Sequence, residues 1–186
     1  MAAPALTTSA YVLHNLGLAA GFGGSLFGRL ALNPSARLVS DKQDRAKIVN
    51  AAWNGYNIVN AVGLGTTAVT WFIGRSKING RSISPTAHNL VIAKDVLMGA
   101  TLVSGLVNII SGAFLAKRTF QDGIAMESGG QAADDAPQDV KNATKLVNWL
   151  GVFSLATMAG LIGVSTWLDN TAQTSAKWKL LARLLP

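Results

Sequence analysis

The chain has 186 residues, with 16 Lys+Arg against 9 Asp+Glu and a formal charge of +7. Only 13% of its residues are charged while 49% are hydrophobic, about half the charge density of an ordinary soluble domain. It has no cysteine, which excludes a disulfide framework, a thiolate nucleophile and a cysteine-bound metal; its basic residues lie between apolar segments, which points to anionic lipid headgroups and away from nucleic acid.

Four stretches carry no charge at all: residues 1–28, 49–74, 96–116 and 146–168. Each reaches the roughly 20 residues that a helix needs to cross about 30 Å of hydrocarbon. The expected fold is therefore all-α: a single domain of four antiparallel transmembrane helices at about 10–32, 49–73, 90–116 and 146–168. The bilayer is the first expected partner, and the pattern suits a bacterial inner membrane. The first stretch lacks a basic n-region and a small-x-small cleavage site, so it reads as a span and not as a secretory signal.

Span one is rich in small residues at helical spacing. Gly17, Gly21 and Ser25 share one face; Ala20, Gly24 and Gly28 share the next. Such faces let helix backbones approach closely in lipid. They fit either packing within the chain's own bundle or docking of a partner subunit or second copy. Pro34 is expected to stop the span, because proline cannot continue the hydrogen-bond ladder.

Span two carries a stripe of amides, Asn50, Asn54 and Asn57. With alternating helix directions, Asn108 of span three and Asn148 of span four fall in the same half of the membrane. Buried amides need partners, so an interhelical asparagine network is expected. Trp53 and Trp71 lie near the two ends of span two, and Trp149 and Trp167 bracket span four. Each pair is 18 residues apart, about 27 Å along a helix, which suits anchors in the two interfacial belts. Trp178 belongs to a basic amphipathic tail, residues 170–186, expected to lie in the interface plane.

The other half of the membrane holds ionisable groups: His14 in span one, and His88, Lys94 and Asp95 in span three. Lys94 and Asp95 point about 100° apart on a helix, so both cannot face inward. The long Lys94 is expected to snorkel, leaving Asp95 inside with His14 as its nearest donor. The long third loop, about 119–140, is small, polar and acidic, and is expected to be mobile. Counting Lys and Arg around span one places loops one and three in the cytoplasm.

No catalytic motif is present. The sequence alone therefore suggests a small non-catalytic membrane protein, an accessory or scaffolding subunit of a larger assembly. Two alternatives stay open. His14 and His88, with Asp95, could ligate haem b or hold a quinone; the asparagine stripe could line the path of a small-molecule or lipid transporter.

Overall fold

A computed structural model describes residues 4–77 and 84–174 of the chain. These residues are overwhelmingly helical. Four long helices dominate: α1 (Pro4–Phe27), α2 (Lys42–Lys77), α3 (Pro85–Asp122) and α4 (Gln138–Thr174). Each contains or nearly contains one expected span and most run past it by a turn or more. Residues 175–186, with Trp178 and most of the amphipathic tail, lie outside the described residues.

Local chemistry sets the helix ends. Asp41 caps α2, its Oδ1 accepting from the backbone N–H of Gln43 and Asp44 at 2.9 and 2.8 Å. Ser84 caps α3 by accepting from Ala87 N–H, with Pro85 at the first helical position. Gly123, at φ +67°, ends α3 in the left-handed conformation that glycine adopts without penalty.

Pro34 does not stop the first helix. The chain widens into a π-helical turn at Gly28–Leu32, where Asn33 N–H donates to Gly28 O, then continues through Asn33–Ser35 to a 3-10 turn at Ala36–Leu38. Proline lacks the N–H of the normal ladder, and the wider turn absorbs the defect.

Contacts between helices fix the topology. Gly17 meets Gly63 and Thr67, Gly24 meets Tyr56 and Gly28 meets Trp53, so α1 and α2 run antiparallel. Thr101 bonds Thr157 and Ser104 bonds Ser154, both at 2.8 Å, so α3 and α4 do too. Trp71–Asp95 and Asn50–Thr119 set the same relation for α2 and α3, and Tyr11–Asp169 closes α1 onto α4. The result is an up-down-up-down bundle. Helices α3 and α4 are long and apolar enough to cross a membrane, with mean hydropathies of 1.8 and 1.6 over an 18-residue stretch of each. Glycines with His14 and Asn15 dilute α1, and four asparagines dilute α2.

The third loop, expected to be mobile, is folded. Strands β1 (Met126–Ser128) and β2 (Gln131–Ala132) pair antiparallel around Gly129–Gly130 and lie over one end of the bundle. Met126, Ala132, Ala133 and Ala136 are buried there. Composition predicted a segment without a core of its own; the helix ends supply one, since Met126 packs with Ala36, Ala46 and Val49, and Ala132 with Leu115 and Val140.

Candidate functional site

The α2 asparagine stripe meets an internal cavity of about 100 Å³. Its apolar walls come from Leu64, Leu115, Met126, Val147 and Met158, and its polar groups from Asn50, Asn57, Asn60, Asn108, Asn148, Tyr56 and Arg29. The α3–α4 register set by Ser104–Ser154 places Asn108 opposite the Asn148–Gly151 turn, and the Arg29 guanidinium packs on Gly151. Arg29 and Asn108 therefore share one depth in the bundle.

The amides do not form the expected network, and no hydrogen bond joins two of these asparagines among the described residues. Asn50 Nδ2 donates to Ala46 O and Thr119 Oγ1 at 2.9 and 3.1 Å. Asn148 Nδ2 donates to Gly130 O in the hairpin. Asn54 is exposed on the outer face of α2. Asn108 Oδ1 is buried with no hydrogen-bond partner, an acceptor whose desolvation costs about 1–3 kcal/mol unless something donates to it. A chamber with apolar walls and a few fixed polar groups is the usual make-up of a small-molecule site.

A more open vestibule adjoins this cavity. It shares Arg29, Asn33 and Asn148 with the cavity and adds Arg37, Ser128 and Gln131 at its rim. The hairpin over it is held by Gly129 N–H to Asn33 O at 3.2 Å and by Arg45, whose Nη1 donates to Glu127 O at 2.6 Å. Arg45 also reaches back to Val39 O. Lys42 pairs with the Glu127 carboxylate, which holds its ammonium above the ordinary lysine range. At the opposite end the cavity stops at a packed layer of Leu18, Ala68, Met98 and Leu161.

Beyond that layer lie the ionisable groups, arranged differently from expectation. His14 is buried, its Nδ1 3.0 Å from Thr67 O and 3.1 Å from Thr70 Oγ1. A carbonyl only accepts, so Nδ1 carries the hydrogen; Nε2 has no partner. Asp95 accepts from Trp71 Nε1 at 2.8 Å and pairs with Arg75 Nε at 2.9 Å. The expected His14–Asp95 contact is therefore replaced by two others. Lys94 does not snorkel: it is 5% exposed, with Nζ 4.3 Å from the centre of the Trp71 ring, a cation–π contact.

His14 and His88 are not placed for a shared iron. His14 sits level with Thr67–Thr70 of α2, whereas Asp95 is level with Trp71–Arg75 and His88 lies two further helical turns out. Their offset along the bundle is on the order of 15 Å at 1.5 Å per residue, while two axial imidazoles must share one depth. Among the described residues no three His, Asp or Glu side chains gather as a metal site.

The tryptophan pairs divide. Trp149 and Trp167 point outward, 77% and 59% exposed. Trp53 instead donates to Asn33 Oδ1 at 2.9 Å and stacks edge-on against Tyr56, while Trp71 binds Asp95. The small faces of α1 are occupied by the same chain: Gly21 lies against Met158 and Asn60, and Ser25 Oγ bonds Tyr56 Oη at 3.0 Å. Sequence reasoning missed Arg29, Asn60 and Tyr56 as cavity residues. Asn60, three residues beyond Asn57, was a usable signal; Arg29 gave none, because its partners Asn148 and Gly151 lie on another helix. No protein-family model, curated protein or solved structure matches the chain.

Proposed function

We propose that the chain is a non-catalytic integral membrane protein of four spans whose bundle encloses a binding chamber for a small polar-headed molecule. The chamber opens toward loops one and three, the side assigned to the cytoplasm by the charge of loop one.

The distribution of side chains supports the membrane part. Leu16 and Phe27 of α1, Ile58 and Val62 of α2, Val103 and Ile110 of α3, and Val152 of α4 are exposed, while Thr67, Thr101, Ser104 and Thr157 are buried. A surface so apolar is unsuited to water, whereas hydroxyls and close small-residue contacts are how helices associate in lipid.

The observation that carries the binding part is the cavity with Arg29 and the unpartnered Asn108 Oδ1 at one depth. The closed layer at Met98 and Leu161 favours a chamber with one mouth over a path through the bundle. An accessory subunit docking through α1 has less to rest on, since Gly17, Gly21, Gly24 and Gly28 already face neighbours in this chain.

The natural chain has no cysteine, so single-cysteine variants report directly. In sealed vesicles, Asn108→Cys should react with a small water-soluble thiol reagent added on the loop one side, and Val103→Cys on the outer face of α3 should not. Equal reactivity at the two positions rules out the chamber.

A further inference from the structure

Two arginines at the vestibule form no ion pair among the described residues. Arg29 lines both cavity and vestibule, and Arg37 stands at the rim. Among the described residues neither has a carboxylate partner; the acidic residues in ion pairs are Asp44, Asp95, Asp122, Glu127 and Asp139. Glu127, adjacent to the rim, is committed to Lys42 and Arg45. Arg29 Nη2 donates to the Asn148 carbonyl, which leaves further guanidinium N–H groups for a ligand.

We propose that the chamber selects a small organic anion, with its oxyanion held by Arg29 and Arg37 in the vestibule. Its apolar body lies against Leu64 and Met158, and a hydroxyl or amine on that body donates to Asn108 Oδ1. The proposal deepens the chamber assignment and rests on it. Guanidinium suits the task because its planar fork matches carboxylate and phosphate oxygens and stays charged. The apolar walls argue for a molecule with a hydrocarbon part over a bare inorganic ion, and a partly buried Arg29 gains more from a counterion than a fully exposed one would. The oxyanion could be presented by a free carboxylic acid or by a lipid headgroup reaching the mouth; both offer the same chemistry.

Purified full-length protein in nanodiscs of neutral phosphatidylcholine distinguishes the cases by calorimetric titration. 4-Hydroxybenzoate, with a carboxylate, a ring and a free hydroxyl, should bind more tightly than its neutral analogue 4-hydroxybenzyl alcohol by about tenfold or more, the scale of one charged hydrogen bond. Its affinity should fall with added salt. Arg37→Gln, at an exposed position, should weaken 4-hydroxybenzoate and leave the alcohol unchanged; Arg29→Gln should do so more strongly. Asn108→Leu should weaken both. Nanodiscs containing phosphatidylglycerol that abolish 4-hydroxybenzoate binding identify the lipid headgroup as the source of the oxyanion. If acid and alcohol bind equally and Arg37→Gln changes neither, the anion assignment falls and the chamber stands. If neither binds, and Asn108→Cys is also unreactive, both fall.

Discussion

Trp71 and Asp95, 24 residues apart on neighbouring helices, are joined by an indole N–H to carboxylate bond of 2.8 Å. The pair anchors a stack in which Arg75 neutralises the carboxylate and Lys94 covers the indole face. One aromatic ring thus serves a cation on its face and an anion at its edge, as its quadrupole allows.

Replacing Asp95 should separate these contributions. Asp95→Asn keeps an acceptor for Trp71 and loses only the half-exposed pair with Arg75, a cost of about 1 kcal/mol or less. Asp95→Leu also strands the indole N–H and should cost about 2–3 kcal/mol. Thermal unfolding in mild detergent reads the difference; equal losses would show that the Trp71 bond contributes nothing.

The α1–α2 seam yields a paired test. A Cβ on Gly17 would strike the Gly63 carbonyl and the Thr67 hydroxyl, whereas one on Gly23 meets open space. Gly17→Ala should destabilise by about 1–3 kcal/mol through overpacking, and Gly23→Ala should be neutral or slightly stabilising. Were the Gly17 face a docking surface for another subunit, Gly17→Ala would leave the isolated protein's unfolding unchanged.

The hairpin closes the chamber through Asn148 and Gly129. An added Cβ at Gly129 would overlap Asn33, and Asn148→Ala removes the bond to Gly130 O. Either change should loosen the cover and raise the labelling rate of the Asn108→Cys variant several-fold. The helical content measured by circular dichroism should stay constant.

Lys42 pins the same hairpin from outside, and its pH dependence has a definite sign. Glu127 raises its folded pKa above the ordinary 10.5. The contribution is therefore fully present below that value and is lost only as pH climbs through the raised one. Protease resistance of the hairpin should differ between the wild type and Lys42→Met by a constant factor from pH 7 to 9. The two should converge above about pH 10.5; convergence already near neutral pH would contradict the pairing.

Much of this was legible before folding was considered. Long helices with alternating directions follow from runs of uncharged residues broken by polar, charged loops, whereas the caps at Asp41, Ser84 and Gly123 emerged only with the structure. The 18-residue spacing suggested interfacial anchors at both ends of two helices, but only Trp149 and Trp167 point outward, while Trp53 and Trp71 bond inside the bundle. Of the expected stripe of Asn50, Asn54 and Asn57, Asn50 and Asn57 line the cavity and Asn54 faces outward.

Which way each face turns was decided only by the tertiary structure. Periodicity gives angles between residues on one helix and is silent about rotation of the whole helix. On the proposed four-span reading, interior and exterior positions draw on the same residues, so hydrophobicity does not supply the missing angle. Hence one tryptophan pair turned inward and the other outward, and Lys94 took the buried place expected for Asp95 once Trp71 offered its ring. The folded hairpin and the inward Arg29 share this origin: each depends on surfaces brought from other helices, the ends of α2, α3 and α4 for the hairpin and Asn148–Gly151 for Arg29. No window of sequence around either contains those partners.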